Sequence, residues 1–153
     1  MKYLPFIAIA ISLLSCSQQK EESSAATATS PLIGTWKLVS AKSIQGKDTT
    51  ITAPVAGQET IKIFNDSYFA FFTHDLNHGA DSSAIYGSGS GTYTLVKDVY
   101  SEHLEYCSYR GWEDKDFSFV MQISKDTIIQ SGIEKIDSLN INHEIVETYA
   151  RIR

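Results

Sequence analysis

The stretch "DFSFVMQISKDTIIQSGIEKI", Asp116 to Ile136, carries two runs of β-branched and aromatic residues around the polar pair Lys125-Asp126. Apolar residues alternate with polar ones in the first run, which is the period of a half-buried strand and not of a helix. Taking Lys125-Asp126 as a tight turn sets Ile123 opposite Ile128, because residues directly across an antiparallel pair share a face. Phe117, Phe119 and Met121 then fall on the Ile123 side, which is the inward one.

The same reading extends outward along the chain. Lys97-Asp98 pairs Leu95 with Tyr100 and Tyr93 with Glu102, bringing Leu104 and Tyr106 inward. Asn65-Asp66 pairs Ile63 with Tyr68 and assigns Ile61, Ala70 and Phe72 to the interior, leaving Phe69 and Phe71 on the other side. Eight strands are predicted: 34–42, 59–64, 67–74, 88–96, 99–107, 116–124, 127–136 and 143–153. The three tight turns alternate with longer links at 43–58, 75–87, 108–115 and 137–142. In an up-and-down meander alternate connections lie at opposite ends, so one end is closed and the other is rimmed by loops. The expected fold is all-β, an eight-stranded antiparallel up-and-down β-barrel over residues 32–153. "GSGSG", Gly87 to Gly91, is expected to form a bulge or kink where a strand bends to close it.

The chain begins "MKYLPFIAIAISLLSC", with Lys2 ahead of an apolar run from Tyr3 to Leu14 that is too short to span a bilayer and suits a signal peptide over residues 1–15. "LLSC" resembles the lipobox of bacterial lipoproteins, a likeness that implies cleavage before Cys16 and lipidation of its thiol. Residues 16–31 then read as the lipidated cysteine and a Ser-, Ala- and Thr-rich tether. "SQQKEE" resembles export signals of outer-membrane lipoproteins, so the expected location is the bacterial cell envelope, at the outer membrane, with both its surface and its periplasmic face left open. The full chain carries 13 Lys and Arg against 18 Asp and Glu, and loss of Lys2 with the leader lowers the net charge from −5 to −6. With no basic stripe, nucleic acid is not expected as a partner. Cys107 is then the only other cysteine, and the domain must rest on its apolar core without an internal disulfide.

"GTWKLVS", Gly34 to Ser40, resembles the first strand of the calycins, the lipocalins and fatty-acid-binding proteins, whose G-x-W opens the barrel at its closed end. The resemblance implies that Trp36 plugs the bottom and Gly34 lets the chain turn beneath it. "EIVETYARIR" resembles the calycin last strand, in which an Arg packs on that Trp, so Arg151 is the implied partner by cation-π stacking. Over nearly all of residues 32–153 the chain is similar to the lipocalin-like domain found on bacterial lipoproteins, a family of presumed small-molecule binders. It departs from the fatty-acid-binding branch at two places. Residues 43–56 lack the amphipathic period of a helical lid, and Glu147 stands where that branch has its carboxylate-binding Arg.

The expected ligand-binding residues are Tyr93, Glu102, Tyr106, Phe119, Glu147 and Tyr149, with Glu134 sharing their inward parity. A buried carboxylate must pair, stay hydrated or protonate. Pairing with Arg151 or Lys135, a polar cavity floor that orients a ligand, and an acid-base pair acting on a sugar all remain open. His74, Asp75, His78 and Asp81 are possible zinc ligands, but they lie at a strand end and in a loop, where solvated polarity explains them equally well. No catalytic motif is present in the sequence, and no cofactor is expected. Two functional classes follow. One is a tethered module binding a small amphiphilic molecule, neutral or cationic. The other is an accessory protein whose rim loops, with Tyr109, Arg110 and Trp112, contact a protein partner.

Overall fold

The structure, a computed structural model, describes residues 29–82 and 84–153. Cys16, the leader and most of the tether lie outside the described residues. Nine antiparallel strands follow one another: β1 (Gly34–Gln45), β2 (Asp48–Ala53), β3 (Gln58–Phe64), β4 (Tyr68–Asp75), β5 (Tyr86–Val96), β6 (Val99–Cys107), β7 (Lys115–Ile123), β8 (Thr127–Ile136) and β9 (Ile141–Arg151). A single 3-10 turn over Asp137–Leu139 links β8 to β9. Strands β3 to β9 form a meander, and β1 pairs with both β3 and β9, which closes an eight-stranded barrel.

The ninth strand, β2, falls in the segment expected to be a plain link. It folds back on the upper half of β1, from Ala41↔Ala53 to Gln45↔Asp48. Strand β1 thus divides one edge between two partners, β3 along Gly34–Lys37 and β2 above. The consecutive Thr49, Thr50, Ile51 and Thr52 give this hairpin its β-branched character.

Ile123↔Ile128, Leu95↔Tyr100 and Tyr93↔Glu102 pair as the alternation predicts. The β3–β4 hairpin turns over differently. Phe64 pairs with Phe69 and Lys62 with Phe71, and these four residues face inward, whereas Ile63 and Tyr68 are exposed on the outside. Ile61, Ala70 and Phe72 share the outer parity, and Ala70 and Phe72 line an outer groove. Phe64 and Phe69 fill the aromatic bottom, which outweighs placing one lysine inside. Tyr106 is also corrected: it lies on the outer surface, 67% exposed. A bulge is responsible, since Gly91 pairs with Leu104 and Ser90 with Tyr106, leaving Glu105 as the extra residue and reversing the facing beyond it. A Cβ on Gly91 would run into the carbonyl of His103, and a Cβ on Gly89 into the Phe71 ring, so the glycines of "GSGSG" allow this wall to form.

The tightly turned end is packed solid. Phe64 and Tyr93 meet edge to face at 5.3 Å, and Tyr100 stacks on Phe119 at 6.4 Å. Trp36, wholly buried, donates its indole N–H to the Leu32 carbonyl at 2.7 Å.

Candidate functional site

Above this aromatic bottom lies a polar layer, and above that a cavity of about 330 Å³ opening toward the loop-rich end. Each strand contributes by its register. Lys62 enters from β3, Glu102 from β6, Gln130 from β8, and Glu147 and Tyr149 from β9. Lys62, 4% exposed, donates to Glu102 Oε2 at 3.0 Å and to Gln130 Oε1 at 3.2 Å. Its ammonium also sits 4.9 Å from the Phe69 centroid and 5.0 Å from that of Tyr100. Glu102 Oε2 accepts a second bond from the Tyr100 hydroxyl at 2.6 Å, and Glu147 Oε2 accepts from the Tyr149 hydroxyl at 2.7 Å. Higher up, Glu134 Oε2 and His143 Nε2 are 2.9 Å apart.

The walls have two characters. Strands β4 to β7 and the loop between β6 and β7 present Phe71, Leu104, Cys107, Tyr109, Trp112 and Phe117, with the Trp112 and Phe117 rings 5.9 Å apart. The opposite wall carries Thr60, Gln130, Glu134 and Glu147, with Thr60 hydrogen-bonded to Thr73 at 2.8 Å. A ligand held here therefore meets ring faces on one side and hydrogen-bonding groups on the other.

Burial sets the electrostatics of this layer. It pushes the Glu147 carboxyl up, opposed by the Lys62 charge and the Tyr149 hydrogen bond. It likewise raises Glu134, opposed by the hydrogen bond with His143. The Tyr149 and Tyr100 hydroxyls are pushed well above their ordinary value, first by burial and then by the neighbouring Glu147 and Glu102 charges. Burial raises the Cys107 thiol as well. Three carboxyl groups thus surround one ammonium, and that ammonium is already engaged.

The structure brings Glu102, Glu147 and Tyr149 together around the cavity, with Glu134 above them. Tyr93 and Phe119 point inward but belong to the packed bottom, where the Tyr93 hydroxyl donates to the Asn65 carbonyl at 2.7 Å. Tyr106 faces solvent, where it borders the outer groove of about 550 Å³ with Ser88 and Ser90. Tyr109 and Trp112, expected as rim contacts, line the cavity mouth, while Arg110 is exposed and pairs with Glu113. Lys62 and Gln130 were missed. Only the parity of β3 could have revealed Lys62, and both faces of that hairpin are apolar enough to mislead. Neither Arg151 nor Lys135 pairs with the inward carboxylates. Arg151 stacks on Trp36 with its central carbon 4.0 Å from the ring centroid, and Lys135 pairs with Asp137 at 3.3 Å. Gly34 has φ +131°, and a Cβ there would stand 2.7 Å from Arg151 Nη1.

In the loop after β4, Asp75 is buried and accepts from the backbone N–H groups of Gly79 at 2.8 Å, Asn77 at 3.1 Å and Ile85 at 3.3 Å. The Gly79 bond leads in holding its carboxyl below the usual carboxylate range. Asp75 therefore organises this loop, with the His74 ring turned to the Asp75 carbonyl.

A closed antiparallel barrel with a solid end, an open end and a mixed polar and aromatic cavity between them is the architecture of a lipocalin-like protein. A family profile described as lipocalin-like domain matches residues 32–129, well over half of the chain. The chain belongs to the lipocalin-like domain family. Among solved structures, it is similar to a lipocalin-like protein from Bacteroides uniformis, with 14% identity and a TM-score of 0.50 over 80% of this chain and 100% of the other. An uncharacterized protein from Bacteroides eggerthii superposes with a TM-score of 0.49 at 15% identity, over 79% of this chain and 99% of that one. At 14% identity the first of these likenesses speaks for the fold alone. No curated protein matches the chain.

Proposed function

We propose that this lipocalin-like domain binds a small amphiphilic molecule, neutral or cationic, inside its barrel. The observation that carries the reading is the cavity of about 330 Å³ whose floor is polar and whose β4–β7 wall is aromatic. Such a space suits a small ligand that buries an apolar body and satisfies a few placed polar groups. The excess of carboxyl groups over Lys62 disfavours an anion. In the same reading, residues 1–15 are a signal peptide and Cys16 carries diacylglycerol, so that the barrel hangs from the outer membrane of a bacterial envelope on its tether. A protein docking on the rim would cover the mouth that Tyr109 and Trp112 line.

Native mass spectrometry of the domain purified from its own host tests the reading. A co-purifying species of a few hundred daltons, released on denaturation, is the expected result. Apo protein that also takes up no amphiphile from a mixed panel would overturn it.

A further inference from the structure

Gln130 is 3% exposed, yet its amide is only half satisfied. Oε1 accepts from Lys62 Nζ, and this fixes the amide orientation, because a flipped amide would set its N–H bonds against the ammonium. The NH₂ group is thereby turned away from Lys62. Among the described residues nothing accepts from it, and Gln130 lines the cavity. Directly across the sheet, Gln130 is the register partner of Glu147, whose Oε1 likewise has no partner among the described residues. The two side chains stand roughly 5 Å apart at their Cβ atoms, as cross-strand neighbours do. They offer a donor beside an acceptor.

Among the described residues no buried polar side-chain atom lacks a partner, so these two groups open onto the cavity, where a ligand can complete the pair. Building on the binding reading above, we propose that the ligand presents a carboxamide or lactam edge, with its C=O accepting from the Gln130 NH₂ and its N–H donating to Glu147, on a flat body packed against Trp112 and Phe117. One edge of an amide carries both groups side by side. An ammonium only donates and a carboxylate only accepts, so each matches half of the pattern; a hydroxyl does both but from one oxygen, whereas the amide edge presents donor and acceptor on separate atoms.

Four probes of matched shape separate the possibilities: 2-naphthamide, its methyl ketone 2-acetonaphthone, 2-naphthoate and 2-naphthylmethylammonium, each titrated calorimetrically into the full domain at neutral pH. The amide should bind tightest, about tenfold better than the ketone, the worth of one hydrogen bond to a charged acceptor. Gln130→Leu should cost the amide a similar factor. A ketone or ammonium equal to or tighter than the amide overturns the proposal while leaving the barrel a binder, as does a folded Gln130→Leu variant with unchanged amide affinity. If none of the four binds below about 1 mM, the binding reading falls and the proposal with it. The ranking on the unaltered protein decides the matter even if Gln130→Leu does not fold.

Discussion

The guanidinium of Arg151 stacks over the Trp36 indole at 4.0 Å while Nη1 and Nη2 donate to the carbonyls of Ile33 and Pro31 at 2.8 and 3.0 Å. One side chain from the last strand thereby holds both the first strand and the segment that crosses beneath the barrel. Trp36 and Arg151 are also register partners, so the seam that shuts the barrel and the plug that seals its bottom are the same contact.

Trp36→Ala should therefore cost about 3 to 5 kcal/mol, the range for removing a fully buried aromatic side chain. Urea unfolding measures it. A loss below about 1 kcal/mol would place the ring outside the cooperative core.

Lys62→Met strips the counter-charge from Glu102, whose side chain is 10% exposed, and should cost about 3 to 5 kcal/mol as the breaking of a buried pair. Replacing both, as Lys62→Met with Glu102→Leu, should recover most of that loss, since a buried ion pair and a packed apolar pair are of similar worth. Equal losses in the single and double variants would show that the two groups are not coupled.

Glu147 gives a signed pH dependence. Its folded pKa lies above its unfolded one, chiefly through burial, so within that window the folded state keeps a proton that the unfolded state has released. Stability falls as pH rises through the window, and the penalty persists above it. Glu134 contributes with the same sign. Glu147→Gln should be more stable than the parent at neutral pH, and its advantage should vanish as pH drops below the ordinary carboxylate range. Urea titrations across that range check the trend, and a constant difference at every pH would contradict it.

Simple fatty acids should bind weakly, because a carboxylate head meets Glu147, Glu102 and Glu134 while Lys62 is already committed to Glu102 and Gln130. Glu147→Arg should strengthen that binding. A fluorescent fatty acid titrated against both forms decides it: binding to the parent at or below about 1 μM, roughly 8 kcal/mol, would refute the expectation.

Lipidation is read out in cells. A clickable palmitate analogue should label the parent and not a Cys16→Ala variant, and label retained on the variant would rule the anchor out.

Much of the architecture was legible because two of the three short turns pin the register and alternation there tells the faces apart. Ile123 with Ile128 and Tyr93 with Glu102 needed nothing more. The site was harder to read, and for local reasons. In β3 and β4 both faces are rich in aromatic and branched residues, so hydrophobicity could not choose between Ile61, Ile63 and Phe72 outside and Lys62, Phe64 and Phe71 inside. Beyond Leu104 a single extra residue reversed the parity and exchanged Tyr106 for Cys107 at the wall. Glu102 and Glu147 were visible as inward carboxyls, yet their surroundings depend on Lys62 and Gln130, which come from strands distant in sequence. Long-range partners of this kind leave no mark in local periodicity.

Gly87 sets the width of the mouth from outside the cavity. A Cβ at that position would collide with the hydroxyl end of Tyr109, which rests against the bare backbone of β5 while its ring borders the cavity. The missing methyl is a parking place for the aromatic ring. With alanine there, the ring must swing away from the sheet, toward the loop end or across the opening, so the bore of this vessel is governed by a residue that contributes no side chain to it.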